Sequence, residues 1–218
     1  MAGQDPSPPA RSRRPPRSRR KEARPAEIVD AAFAEFVERG FEGARLDRVA
    51  ARAGVSKPTI YLYFDGKEAL FEAVVRARVS AVFDEVEAAT AVDDREPTEA
   101  RLRRILVLIY QRFVDTDLRR VLKLLIAEGG RFPDLLRSYH DLAYSRGRAL
   151  IAATLRRGIE RGEVREGPSS AFPELVIAPA IFLAVHRETM GALSPIDRDA
   201  FLEGHVELVL RGIAAREG

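Results

Sequence analysis

The stretch LDRVAARAGVSKPTIYLYFDGKEALF, Leu46 to Phe71, decides the fold. Leu46, Val49, Ala50 and Ala53 recur at i, i+3, i+4 and i+7, one apolar face of a short helix. Gly54 follows where a helix end needs a residue tolerant of left-handed dihedrals. Val55 is an apolar plug, and Ser56 is placed to cap the next helix by accepting an orphan backbone N–H. Pro58 lies in the first turn, where its missing N–H removes no intrahelical bond. Ile60 and Phe64, four apart, make the buried stripe of this second helix. The other positions show Lys57, Thr59, Tyr61, Leu62 and Tyr63. Packing explains such an outward face poorly; a surface for DNA explains it well.

Upstream, Ile28, Ala31, Ala32, Phe33 and Phe36 form the apolar face of a lead helix from about Pro25 to Arg39, ended by Gly40. Phe41 then returns to the core, giving a three-helix unit of about 40 residues that needs support from elsewhere. Lys67 to about Ala89 begins inside this unit through Leu70, Phe71 and Val74 and continues away from it as a connecting helix. Helices are expected from about Pro97, with Leu102, Ile105, Leu106, Ile109, Tyr110 and Phe113 in one stripe, and over Leu118–Ala127. A long helix is expected from Pro133 to Arg161, ending at Gly162, and a polar loop over Glu163–Ser170. The segment ELVIAPAIFLAVHRETM is apolar on nearly all sides, which implies burial against its own domain and a partner, with Pro179 kinking or breaking it. Asp197 to about Ile213 is the last helix. No strand, repeat or βαβ pattern is visible, so the chain reads as all-α.

Residues 1–24 carry eight basic side chains against Asp5 and Glu22, a net +6; with +3 overall, the remaining chain is −3. This Arg- and Pro-rich segment is expected to be disordered. It reads either as an arm following the phosphate backbone or the minor groove, or as a solvated extension. It lacks the hydrophobic stretch of a secretory leader, and no apolar run approaches the ~18 residues of a membrane span. There is no cysteine, which suits a reducing cytoplasm and excludes disulfides and thiolate sites. His140, His186 and His205 lack the i, i+4 spacing of a helical zinc site, and no catalytic residue, metal or cofactor is expected.

Residues Ile28–Val75 closely resemble the helix-turn-helix of the TetR family of bacterial transcriptional regulators. The likeness rests on IVDAAFAEFVERGFEGA (Ile28–Ala44), AGVSKPTIYLYF (Ala53–Phe64) and KEALF (Lys67–Phe71), in that order near the start of a chain of this size. It implies a helix-turn-helix domain over residues 25–72, joined by the connecting helix to a helical effector-binding and dimerisation domain over 73–218. The second helix of such a motif enters the major groove, placing Lys57, Pro58, Thr59 and Tyr61 at base edges, with Leu62 able to meet a thymine methyl. Tyr61 can alternatively pack on the preceding helix and show only its hydroxyl. By the resemblance, Tyr63 and Lys67 grip phosphates, and Arg45 and Arg48 contact the backbone. Family members usually carry a small hydroxyl residue where Arg45 stands, so its target is a phosphate or a base.

The resemblance further implies a homodimer through the last two helices, a palindromic double-stranded operator, and a small-molecule pocket whose occupant releases the DNA. Tyr110, Phe113, His140, Tyr144, Phe182 and His186 are candidates for that pocket, each with core packing or surface exposure as the competing reading. His186-Arg187-Glu188 within an apolar helix reads either as an anion site or as an inter-subunit pair. An architectural DNA-binding protein without an effector is the alternative function; it would show weak sequence specificity and no ligand-sized cavity.

Overall fold

The computed structural model describes residues 17–90 and 95–215, with side chains from residue 24 onward. Helices account for the architecture. They are α1 (Arg17–Gly43), α2 (Leu46–Arg52), α3 (Lys57–Tyr61), α4 (Lys67–Ala89), α5 (Thr98–Ile109) and α6 (Leu118–Glu128). They continue with α7 (Pro133–Tyr139), α8 (Ser145–Glu160), α9 (Pro168–Ala171), α10 (Glu174–Thr189) and α11 (Arg198–Ile213). Among the described residues the only β feature is an isolated bridge between Val164 and Ala214.

Much of the basic arm lies outside the described residues; within them, Arg17 to Arg24 form the start of α1. The run from Arg17 to Ala23 is mostly Arg, Lys, Glu and Ala, all good helix formers, and it extends α1 ahead of Pro25. Gly40, at φ 69° and ψ 177°, breaks the helical path and drops Phe41 into the core. There Phe41 stacks on Phe36 at 5.9 Å, Phe71 meets both rings at about 5 Å, and Phe132 meets Phe41 edge-on at 4.7 Å. Each fully buried ring contributes ~1.5–3 kcal/mol of transfer free energy, so this cluster is the main support of the small unit.

The turn after α2 follows from its sequence. Gly54 takes φ 63°, Val55 N–H donates to the Ala50 carbonyl at 3.0 Å and Gly54 N–H to Ala51 at 3.3 Å, the paired bonds of a Schellman end. Val55 packs inward as the accompanying hydrophobic contact. This geometry aims α3, which is fixed from beneath by fully buried Ile60.

Two features interrupt the expected C-terminal helices. Tyr110–Val114 continues α5 as a π-helical turn, and His140–Tyr144 forms another between α7 and α8, so Pro133–Arg161 is not one regular helix. Conversely, α10 runs unbroken through Pro179, and the loop expected at Glu163–Ser170 closes into α9. One apolar cluster joins α1–α4 to Leu118, Val121, Leu125 and Leu135; a second lies among α5, α8, α10 and α11.

Candidate nucleic-acid interface and ligand cavity

The turn between α2 and α3 leaves a strip of side chains with little under them. Tyr61 is 52% exposed, Leu62 79% and Tyr63 38%, while their neighbour Ile60 is fully buried. Leu62 on the surface has no packing role, whereas Phe64 is half-buried against the core. Lys57 and Pro58 are exposed and Thr59 is half-buried. Ser56 does not cap α3 with its side chain: its hydroxyl pairs with Thr59 Oγ1 at 2.8 Å, so the two short hydroxyls satisfy each other.

The cations around this strip are held by acids. Asp47, in the first turn of α2, lies 3.1 Å from Lys57 Nζ and 3.9 Å from the Arg45 guanidinium. Arg48 reaches Glu35, whose side chain is fully buried, at 3.6 Å; Arg52 reaches it at 3.4 Å and also pairs with Glu38. Lys67 hydrogen-bonds the Glu42 carbonyl at 3.4 Å and lies 4.5 Å above the Phe41 ring. Its amine is therefore partly committed to the end of α1. Sequence spacing does not point to Glu35 or to the Asp47–Lys57 pair, because Arg48, Arg52 and Lys57 each lie ten or more positions from the acid they meet, outside any helical repeat.

Beyond this unit lies a cavity of about 410 Å³, bounded by α4, α5, α6, α8 and α10 and by the two π-helical turns. Its wall is almost wholly apolar, with Val79, Phe83, Ile105, Leu122, Ile151 and Ile177 representing five helices. Of the residues offered for a pocket, Phe113 and Tyr144 line this cavity. Tyr110, His140, Phe182 and His186 do not.

Each of these four has another occupation. Tyr110 is fully buried with its hydroxyl 3.0 Å from His205 Nδ1, and burial pushes its ionisation up to about 12. His140 is exposed beside Asp141 at 2.9 Å. Phe182 is half-exposed and stacks on Phe201 at 6.1 Å. His186 is buried with Nδ1 unpartnered, and its neighbours are paired within the chain, Arg187 to Asp115 at 2.9 Å and Glu188 to Arg119 at 2.6 Å. Those acids and bases come from α6 and the preceding turn, so within the chain Arg187 and Glu188 already have partners.

Arg148, Glu174 and Tyr139, which the sequence did not point to, sit with Tyr144 at the cavity's polar edge. Tyr144 donates to Glu174 Oε1 at 2.8 Å, and Arg148 Nε donates to the same oxygen at 3.0 Å. The Glu174 carboxyl is held below the usual range by its own backbone N–H and by Tyr144; donating to that carboxylate raises the Tyr144 hydroxyl. Tyr139 also lines the cavity; its hydroxyl has no hydrogen-bond partner among the described residues, and burial raises it. Only the spacing of Tyr144 and Arg148, four apart, could have drawn attention to this edge.

Two helices join cavity and reading head. Leu70, Phe71, Val74 and Val75 of α4 sit in the helix-turn-helix core, and Val79, Val82, Phe83 and Val86 of the same helix line the cavity. From α6, Leu118 and Leu122 line the cavity, while the turn after it brings Phe132 onto Phe41 and Arg131 to Glu42. No described helix is long and apolar enough to cross a membrane, and no described cluster could hold a metal.

Comparison with known proteins agrees with this arrangement. The pattern of bacterial regulatory proteins of the tetR family matches residues 28–74, and that of the tetracyclin repressor-like C-terminal domain matches residues 92–209. The transcriptional activator FasR of Mycolicibacterium smegmatis is 38% identical over 109 residues, 49% of this chain and 46% of FasR. The chain spans less than half the length of the first curated relatives it matches. A protein of Saccharomonospora viridis assigned as a transcriptional regulator, solved in complex with choline, has a TM-score of 0.77 at 23% identity, covering 90% of this chain and all of that one. FadR of Bacillus subtilis, in complex with stearoyl-CoA, has a TM-score of 0.69 at 19% identity, covering 86% and 98%. These relatives are regulators and not enzymes. One pattern covers the reading head and the other more than half of the chain, so the chain belongs to the TetR family of bacterial transcriptional regulators.

Proposed function

We propose that this regulator is a homodimeric repressor that holds a palindromic operator and releases it when a small molecule fills the cavity. The observation that carries this reading is α4, one continuous helix with its first turns in the helix-turn-helix core and its later turns in the cavity wall. An occupant that shifts the α4 backbone at Val82 or Phe83 moves the reading head with it. Operator DNA must then weaken effector binding by the same factor that effector weakens DNA binding.

In this reading Tyr61, Leu62 and Lys57 meet base edges with Pro58 and Thr59 beside them, and Arg45, Arg48, Tyr63 and Lys67 serve the phosphates. The dimer contact uses Leu175 and Phe182, exposed seven apart on α10, with exposed Leu208 on α11. Gly204 and Gly212 flank Leu208 with open space where a Cβ would stand, which lets a second helix approach closely. A two-fold dimer requires half-sites about one helical turn apart. The protein would act in the cytoplasm, on the DNA there.

Selection of bound duplexes from a random library at near-physiological salt tests this reading. A palindromic consensus is expected. Enrichment of no sequence, with binding that vanishes as salt rises, would replace it with the architectural one.

A further inference from the structure

We propose that the cavity takes an amphipathic carboxylate, an uncharged apolar body ending in one carboxylate group, and that Glu174 sits in the place this carboxylate takes. The inference rests on the reading of the cavity as an effector site. The apolar wall sets the body: a charge among Val79, Ile105, Leu122 and Ile177 would be stripped of water without a partner. The volume of about 410 Å³ admits roughly a dozen carbon-sized groups.

The cavity edge sets the head. Tyr144 and Arg148, from the start of α8 and the turn before it, converge as donors on a single oxygen, Glu174 Oε1. Arg148 and Glu174 are the charged residues lining the cavity. Arg148 keeps further N–H donors on a side chain 52% exposed, and Arg is the residue suited to grip a carboxylate with two parallel bonds. Two donors aimed at one carboxylate oxygen make an anion site, which the protein's own carboxylate fills. Glu174 is 37% exposed and can swing to solvent, and an ion pair this open to water is weak enough to exchange. A ligand carboxylate tethered to a body buried in the cavity displaces it, and Tyr144 and Arg148 change partner.

The test uses the full chain and the neutral fluorophore N-phenyl-1-naphthylamine, displaced below their micelle concentrations by three twelve-carbon competitors: dodecanoate, dodecanol and dodecyltrimethylammonium. Dodecanoate is expected to displace the fluorophore at least about tenfold more tightly than the other two, the scale of a charge-assisted hydrogen bond. Arg148→Ala should erase that preference. Glu174→Ala should widen the ratio of dodecanoate to dodecanol affinity about two- to fivefold by removing the internal competitor. Equal affinities for the three heads, preference for the cation, or a preference that Glu174→Ala narrows would overturn the proposal while leaving the cavity as an effector site. Failure of the fluorophore and all three competitors to bind would remove both.

Discussion

Glu35 Oε1 lies 3.6 Å from Arg48 Nη1, a fully buried carboxylate of α1 reaching a half-exposed guanidinium of α2. Neither oxygen of Glu35 has a hydrogen bond within the described residues, and Arg52 at 3.4 Å is its other neighbour. A carboxylate buried without hydrogen bonds is costly, and these two guanidiniums are the charges placed to offset that cost. The field of Glu35 holds Arg48 where the helix-turn-helix reading needs a phosphate contact. Arg48→Ala and Glu35→Gln are therefore both expected to weaken operator binding, by about 1 kcal/mol each. A double-mutant cycle in operator titrations should show coupling above ~0.5 kcal/mol. Additive losses would make Glu35 a packing residue only.

Asp47 stands 3.1 Å from Lys57 and 3.9 Å from Arg45, so it neutralises part of the surface proposed for DNA. Asp47→Asn should tighten binding to any duplex and steepen the plot of log affinity against log salt by up to about 0.9. Tyr61→Ala should act oppositely, costing about 1–3 kcal/mol on the operator and little on random DNA, with the dimer intact. Fluorescence anisotropy against operator and scrambled duplexes separates the two. Unchanged operator affinity in Tyr61→Ala would take α3 out of the recognition mechanism.

The reading head was legible because its determinants are local. The Gly54–Val55 turn, the buried Ile60 and the exposed Tyr61 all follow from residues within one or two helical turns of each other. The cavity was not, for a specific reason. Each π-helical turn, at Tyr110–Val114 and His140–Tyr144, departs from the 3.6-residue repeat and rotates the faces that follow it. Whether a buried residue beside such a turn meets the cavity or the packed core is then set by the other helices, not by the repeat. Phe113 and Tyr144 reach the cavity, Tyr110 turns to His205 on α11, and His140 faces solvent. Glu35–Arg48 and Asp47–Lys57 join residues ten or more apart on different helices, which no single-helix pattern encodes.

His205 links three elements of the C-terminal domain. Its Nε2–H donates to the Val176 carbonyl at 2.9 Å, a group that can only accept, so Nδ1 is the acceptor for the Tyr110 hydroxyl at 3.0 Å. Burial lowers its pKa below the ordinary 6.5, the Val176 bond offsetting part of that effect. The unfolded chain thus takes up this proton first as pH falls, and stability drops from about pH 6.5 down to the folded pKa. Denaturant midpoints measured between about pH 7.5 and 5.5 should fall in the wild type and fall less steeply in His205→Gln. Equal slopes would mean the ring is protonated as easily in the folded protein as in the unfolded one.

Phe132, in the turn between α6 and α7, meets Phe41 edge-on at 4.7 Å, and the adjacent Arg131 pairs with Glu42. This contact reaches the reading head from α6 without passing through α4. Phe132→Ala should leave operator and effector affinities, measured separately, within a few-fold of wild type. The coupling between them should shrink by about 1 kcal/mol, within the usual range of 1–3. Unaltered coupling would assign the whole signal to α4.

Gly147 tests whether the α4 wall can yield. A Cβ placed there would stand 3.1 Å from Phe83 Cε1, close enough that the ring must give by a few tenths of an ångström. Phe83 borders the cavity, so the ring can turn into that space without driving the whole of α4. The helix is also held by Arg146, which bonds Asp84 at 2.8 Å and Glu87 at 2.7 Å, both in the turn of α4 that follows Phe83. Gly147→Ala is therefore expected to cost less than the ~1–3 kcal/mol typical of overpacking and to keep operator binding. It should weaken N-phenyl-1-naphthylamine binding several-fold, because Phe83 now occupies part of the cavity. If operator binding falls instead, with no effector present, α4 rather than the ring absorbs the displacement, and one added carbon has done what the effector is proposed to do.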